Sequence, residues 1–198
     1  MNRPVLTTSR IQLEPMTGQH LPRLVELDTD AEVLRYIIGR ARTVQEAQDH
    51  WAPVCDDLGA DAVGLGWWVG WTTADDAFLG WWALSPDRPV PDRPTRAEAG
   101  WRIGRRHWRQ GYATEGARAL LAHGFGTVGL GEVRAETMAV NEASRRVMTK
   151  LGMRHVRTEH RSWDEPLPGA DQGEVVYSIT SERWPTTAAP EPSEGPTP

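Results

Sequence analysis

The sequence predicts an α/β domain of the mixed α+β kind, folded around a single mixed sheet. Apolar residues switch repeatedly between the two-residue period of a strand and the 3.6-residue period of a helix. Read along the chain, those switches give the order β, α, α, β, β, β, α, β, α, β, β. The length, 198 residues, suits one domain with a sizeable core, since a domain of about 150 residues buries roughly 70% of its unfolded surface.

Polar and apolar residues alternate over Arg10, Ile11, Gln12, Leu13 and Glu14, the mark of a strand. Leu21, Leu24, Val25 and Leu27 follow at helical spacing. Residues 46–58 predict a second helix, interrupted near Pro53 because proline lacks the backbone donor. Two Trp-rich runs, 66–72 and 78–84, have β character and lie close enough to pair as a hairpin. Residues 97–103 form another strand. Ala113, Ala117, Leu120, Leu121 and Phe125 then make one apolar stripe on a helix over 113–125. A strand over 132–139 leads to a short helix over 142–151. Asn141 suits its N-cap, Val147, Met148 and Leu151 its buried face, and Gly152 its left-handed terminus. Strands at 153–161 and 174–180 complete the set.

Between these elements, the proline-rich 85–96 and the acidic 164–173 read as loops. Residues 185–198 hold five prolines and no large apolar residue, and are expected to be a disordered tail. Residues 1–184 are then a single domain without internal repeats.

Composition excludes several classes of function. Lys plus Arg is 22 against 27 for Asp plus Glu, a net charge of −5. That is not the overall basic field of a nucleic-acid binder. The lone cysteine, Cys55, rules out an internal disulfide and suits a reducing compartment. The neighbouring Asp56 and Asp57 disfavour its thiolate. No apolar run reaches the roughly 18 residues of a membrane span, and the first residues lack the apolar stretch of a signal peptide. The expectation is a cytoplasmic protein without a membrane partner. The six histidines are scattered, and no spacing suggests a metal site.

The chemistry concentrates in two runs. Ile103 to Glu115 reads as a strand end, a basic loop containing Gly111, and a helix start. A helix N-terminus offers unpaired N–H groups and a partial positive charge, a ready site for phosphate. Gly111 lets the backbone approach an anion closely, and Arg105, Arg106 and Arg109 add charge. An ordinary strand-to-helix turn with solvated arginines fits the same letters. No Gly-Lys-Ser/Thr ending marks a nucleotide P-loop. The Gly124, Gly126, Gly129 pattern follows a helix and precedes a strand, the reverse of a dinucleotide fingerprint. In the second run, Asn141-Glu142-Ala143-Ser144, both Asn141 and Ser144 could do no more than cap a helix.

Taken together, Glu98-Ala-Gly-Trp-Arg-Ile-Gly, Trp108-Arg-Gln-Gly-Tyr-Ala-Thr-Glu, Asn141-Glu-Ala-Ser144 and Lys150-Leu-Gly-Met153 resemble the GNAT superfamily of N-acetyltransferases. They are most similar to its RimJ/RimL-like branch, over roughly residues 8–184. The resemblance implies the GNAT fold: a mostly antiparallel sheet of about seven strands, about four helices, and a V-shaped splay between strands 4 and 5. It implies acetyl-CoA as co-substrate, without a metal, and direct attack of a primary amine on the thioester. The acceptor would be a protein N-terminus or a small-molecule amine. A backbone N–H would polarise the thioester carbonyl, and a protein acid would protonate the thiolate.

By the same resemblance, Arg109, Gln110, Gly111, Tyr112, Ala113 and Thr114 cradle the CoA pyrophosphate. Trp101, Ile103 and Trp108 belong to the cofactor site, and Asn141 contacts the pantetheine. Ser144 stands near the sulfur as general acid. Trp108 departs from the usual Gln or Arg at its position. Some Rim-type enzymes take a Glu on the strand after the serine helix as base. A gapless count lands here on Trp163, beside Asp164 and Glu165, which become the candidates.

Ten tryptophans against two phenylalanines and three tyrosines call for an explanation. Alternation puts Trp67 and Trp68 on opposite faces of their strand, and Trp81 and Trp82 likewise. One set can fill the core. The other must cover another element, a second copy of this chain in a homodimer, or the acceptor. Trp81, Trp82 and Glu98 are accordingly the expected acceptor-binding residues. Two other readings fit the motifs: a CoA-binding sensor or scaffold without catalysis, and an acetyltransferase of aminoglycoside-type antibiotics. The second would use Asp164, Glu165 and Asp171 as an acidic pocket.

Overall fold

The computed structural model describes residues 3–57, 59–86 and 94–185. The expected tail beyond Pro185 and most of the proline-rich loop lie outside the described residues. Eight strands form one sheet in the order β1-β2-β3-β4-β5-β6-β8-β7. They are β1 (Leu6–Thr7), β2 (Ile11–Pro15), β3 (Gly66–Thr72), β4 (Phe78–Pro86), β5 (Arg96–Ile103), β6 (Glu132–Met138), β7 (Arg154–Glu159) and β8 (Glu174–Thr180). The helices are α1 (Leu21–Asp28), α2 (Val44–Asp56), α3 (Tyr112–His123) and α4 (Glu142–Lys150). Every strand pair is antiparallel except β5 with β6.

Three differences from the sequence reading have physical causes. The sheet has eight strands rather than seven, because β1 spans two residues and is too short to show a period. The splayed pair is therefore β5 and β6 rather than strands 4 and 5. The second helix starts at Val44 and continues through Pro53 without interruption. Thr43 Oγ1 accepts from the Glu46 N–H at 3.2 Å, and Glu46 Oε2 accepts from the Thr43 N–H at 2.8 Å. This capping box fixes the start. Pro53 is exposed near the last turn, where a missing N–H forfeits a single intrahelical bond. Third, α3 ends at His123, and Gly124–Val128 closes as one π-turn before Gly129 turns left-handed at φ 81°.

The tryptophans alternate between the two faces of the sheet. Trp68 and Trp82 are fully buried on the face that α3 and α4 cover, with Leu13, Leu120 and Val133. Trp81 and the half-buried Trp67 lie on the other face, with Trp51, Leu24 and Val69 beneath α1 and α2. Trp82 has room because glycines flank it. A Cβ on Gly70 would meet its ring at 2.3 Å, and one on Gly116 at 2.5 Å. The Trp82 indole N–H donates to the Ala113 carbonyl at 3.1 Å. Hence β4 carries the first turn of α3.

On the α1–α2 face, Asp28 is completely buried. It accepts from Arg102 at 2.5 Å, from the Trp51 indole at 2.9 Å, and from Arg42. Among the described residues, no helix is long and apolar enough to cross a membrane.

Candidate active site

The site begins where β5 and β6 part. These parallel strands pair only at their first residues, Arg96 with Glu132, Ala97 with Val133 and Glu98 with Arg134. Beyond Glu98 their edges face a wedge rather than one another. β6 is held on its other side along its whole length by β8, from Glu132↔Thr180 to Met138↔Glu174. β5 is held by β4, from Gly80↔Ile103 to Pro86↔Ala97. Each strand thus stays anchored to its own half-sheet while the halves diverge. Trp101 and Ile103 lie on the free part of β5.

At the mouth of the wedge, β5 leads through Gly104 into the basic loop and α3. The loop is held by local bonds. The Trp108 indole donates to the Ile103 carbonyl at 2.7 Å, and the Gln110 side chain to the Arg106 carbonyl at 3.0 Å. Arg109 and Gly111 both take positive φ, 62° and 88°. The first bond of α3 runs from the Glu115 N–H to the Gly111 carbonyl at 3.0 Å. The N–H groups of Tyr112, Ala113 and Thr114 therefore precede the helical ladder and point out of its start. Arg105, Arg106 and Arg109 are exposed around them. This set fits a pyrophosphate: unpaired N–H groups, the positive helix end and surrounding guanidinium groups.

A second clasp was not legible in the sequence. The β1–β2 turn grips the same loop. Thr8 Oγ1 donates to Glu115 Oε1 at 2.6 Å, and Arg10 Nε to Glu115 Oε2 at 2.8 Å. Arg10 Nη1 also donates to the Gln110 carbonyl at 3.1 Å, and its guanidinium lies 4.8 Å from the Tyr112 ring centre. Burial alone would raise the Glu115 pKa, but the hydrogen bonds from Thr8 and Arg10 outweigh it and hold it below the usual range.

Across the wedge, Asn141 caps α4. Its Oδ1 accepts from the Ser144 N–H at 3.2 Å, and its Nδ2 donates to Thr137 Oγ1 at 3.0 Å. Ser144 is half-buried in the first turn of α4. Thr137, near the end of β6, ties this cap to the free edge of the wedge.

Behind that turn lies a cavity of about 280 Å³. Tyr36, Ile37 and Ile38, between α1 and α2, form one wall, and Met138 at the end of β6 another. Trp163, Glu165 and Leu167 come from the loop after β7, and Gly173 and Glu174 from the start of β8. The Asn141 N–H donates to the Met138 carbonyl at 2.9 Å, and the Ala139 N–H to the Gly173 carbonyl at 2.9 Å. Two lining residues, Met138 and Gly173, therefore anchor the segment that carries the cap of α4.

Of the sequence candidates, the cavity gathers Glu165. Asp164 is exposed on the same loop and is not among the lining residues. Trp81 and Trp82 are buried in the two core faces, and Glu98 is exposed at the closed end of the wedge. None of the three lines the cavity. The titratable groups that do line it include two missed in the sequence, Arg161 and Glu174. The signal for Glu174 was slight: a carboxylate opening a strand directly after Gly173.

The comparisons agree with this architecture. The profile of the Acetyltransferase (GNAT) domain matches residues 10–154. The FsC-acetyl coenzyme A-N(2)-transacetylase of Aspergillus fumigatus is 42% identical over 189 residues, covering 92% of this chain and 78% of its own. An uncharacterised Bacillus subtilis protein, YkkB, is 31% identical over 164 residues, 82% of this chain and 91% of its own. A Bacillus anthracis GNAT acetyltransferase structure superposes with a TM-score of 0.70 at 22% identity, covering 90% of this chain and 99% of its own. The structure of RimL, a ribosomal L7/L12 alpha-N-protein acetyltransferase in complex with coenzyme A, superposes with a TM-score of 0.70 at 17% identity. It covers 91% of this chain and 98% of its own. The splayed sheet, the loop at the start of α3 and these matches lead to one conclusion: the chain belongs to the GNAT family of N-acetyltransferases.

Proposed function

We propose that this protein transfers the acetyl group of acetyl-CoA to the nitrogen of a small primary amine. The observation that carries the reading is the wedge, with an anion-binding loop on one side of its mouth and a capped serine on the other. The loop of Arg109 to Thr114 holds the pyrophosphate. The unpaired edges beyond Glu98 and Arg134 accept the pantetheine as an added strand. Asn141 holds the turn that brings Ser144 towards the sulfur, and Ser144 protonates the departing thiolate in the manner of RimJ/RimL-like enzymes. Acetyl-CoA supplies the activated acyl group.

A small-molecule acceptor is favoured by the relative at 42% identity, whose name puts the acetyl on a nitrogen, N(2). The cavity also has the dimensions of a small molecule. The test supplies acetyl-CoA with small primary amines, a peptide with a free N-terminus, an alcohol and a thiol. It follows thiol release and the mass of the products. N-acetylated small amines are expected. Acetylation of the peptide alone would move the acceptor to a protein N-terminus. No thiol release from any acceptor would overturn the reading.

A further inference from the structure

Beside the cavity, at Arg161 and Glu174 of its lining, a cluster of charge spans three strands. Along β6, Glu136 and Met138 point to the same face of the sheet. Met138 stands opposite Glu174 on β8, and Glu174 stands opposite Glu159 on β7. Three carboxylates on three adjacent strands thus share one face. One guanidinium, that of Arg161, reaches all three. Arg161 Nη1 lies 2.7 Å from Glu136 and 2.5 Å from Glu174, and Nη2 lies 2.7 Å from Glu159.

The sharing is unequal. Glu159 also accepts from Arg157 at 2.6 Å, and its pKa is held below the usual range by Arg161 and Arg157. Glu174 fares worst. Its Oε2 is sealed from solvent and, despite its closeness to Arg161, has no aligned hydrogen-bond partner among the described residues. Burial first, then its hydrogen bond with Glu136, pushes its pKa up to about 7. The other groups facing this corner are Glu165, reached electrostatically by Arg40, and His160 beside Gly173. With Glu174 ionised, three glutamates meet two arginines here, Arg161 and Arg157, so an incoming monocation would balance the charge.

The walls define the rest of such a ligand. Tyr36, Ile37, Ile38, Leu167, Trp163 and Met138 form an apolar sleeve that ends at Glu174. We infer that Glu174 takes the proton from the acceptor's ammonium group, and that the acceptor is an amine on an apolar arm which this sleeve holds. The inference rests on the acetyl-transfer reading above.

The Glu174 carboxylate takes one proton from the ammonium, leaving a neutral amine. Its lone pair forms the N–C bond while the C–S bond breaks and the electron pair leaves on sulfur. Ser144 gives its hydroxyl proton to that sulfur, and the second proton lost by nitrogen restores the hydroxyl. Glu174 returns its proton to solvent, so one proton is released per turnover. A carboxylate titrating near neutrality suits an ammonium. It is far too weak a base for an alcohol. The Glu174 Oε2, sealed from solvent and without an aligned partner among the described residues, is left with unmet hydrogen-bonding capacity that an ammonium would satisfy.

The test uses the full chain with acetyl-CoA and 2-phenylethylamine, and reads kcat/KM against pH, with butylamine and spermidine for comparison. The wild type should show an acid limb near pH 7 and prefer the aromatic monoamine to spermidine. Glu174→Gln should lower kcat by about 10²–10⁴-fold and abolish that limb. CoA affinity by calorimetry should not change. Glu136→Gln removes the carboxylate that raises Glu174 and frees Arg161 for it, so the limb should move to more acid pH. This second variant carries the test if Glu174→Gln does not fold. A limb near pH 7 that survives Glu174→Gln, or stays in place in Glu136→Gln, overturns the assignment of the base and leaves acetyl transfer standing. A preference for spermidine overturns the apolar sleeve. An absence of wild-type turnover overturns the transfer reading, and the role of Glu174 with it.

Discussion

Arg10 and Glu115 lie 105 residues apart in sequence and are joined by three hydrogen bonds, from the Arg10 backbone N–H at 3.2 Å, from Nε at 2.8 Å and from Nη2 at 2.5 Å. Their pairing brings the N-terminal turn against the start of α3, and Arg10 reaches past Glu115 to the Gln110 carbonyl. Arg10 is about half exposed, so the pair does little for overall stability. Its effect is local, on the shape of the loop. Arg10→Ala is expected to weaken CoA binding several-fold while the thermal midpoint moves by a few degrees at most. Glu115→Gln should do the same. Because the Glu115 pKa is lowered in the folded protein, its contribution is present above the unfolded carboxylate pKa and fades as pH falls through the folded one. CoA affinity measured by calorimetry should therefore fall towards acid pH in the wild type. It should fall less in Glu115→Gln. Equal slopes in the two proteins would remove Glu115 from the loop's support.

Gly111 occupies the left-handed region at φ 88°, and a Cβ there would stand 3.4 Å from Arg10 Nη2. Space is adequate; conformation is the obstacle. A β-branched residue held at that φ costs about 1–3 kcal/mol, and the chain can escape the cost by flipping the loop. Gly111→Val is expected to keep the fold, with an unchanged circular dichroism spectrum, and to lose CoA affinity by tenfold or more. Unchanged affinity would mean that the N–H groups at the start of α3 do not hold the pyrophosphate.

Ser144 and Asn141 separate acid catalysis from capping. Ser144 supplies its backbone N–H to the Asn141 cap, so Ser144→Ala keeps that bond and removes only the hydroxyl. The variant should keep its stability and its KM for acetyl-CoA while kcat falls by about 10²–10⁴-fold. Asn141→Ala breaks the cap and the bond to Thr137, and should cost about 1 kcal/mol of stability. If Ser144→Ala keeps kcat within about twofold, the thiolate finds its proton elsewhere and the serine is part of the helix start alone.

The sequence displayed the parts that obey short-range rules. Helix α3, the Asn141 cap and the Trp-rich hairpin each carry their period or cap within a dozen residues, and each is found where those letters put it. Strand β1 left no trace because two residues have no period. Pro53 misled because the usual penalty belongs to a helix interior, and this proline sits near the exposed end. The site was half legible. Gly111 and Asn141 are read from local geometry, but the base was sought by counting from Ser144. The cavity is assembled from four separate segments around residues 36–38, 138, 163–167 and 173–174. No spacing within one segment encodes that meeting, and neither does the reach of Arg161 to three strands.

Trp81, expected at the acceptor, is instead part of the buried core around Arg102. Its ring centre lies 5.1 Å from the Arg102 guanidinium, 4.7 Å from the Trp67 ring and 5.7 Å from the Trp51 ring. Burial pulls the Arg102 pKa below its ordinary range, and the Asp28 carboxylate opposes that shift. Asp28 is the one anion bonded to both Arg42 and Arg102 here, and it also fixes the Trp51 indole. Replacing it with the isosteric asparagine would leave two guanidinium groups beside each other without a counter-charge. Breaking a buried pair in this way costs about 3–5 kcal/mol, a large share of the stability of a typical domain. Asp28→Asn should therefore lower the urea midpoint sharply or fail to fold. Trp81→Leu opens part of the ring cluster, and should cost about 2–4 kcal/mol with the acceptor KM unchanged. If Trp81→Leu instead raises the acceptor KM at unaltered stability, the tryptophan belongs to the acceptor site and not to the support of Arg102.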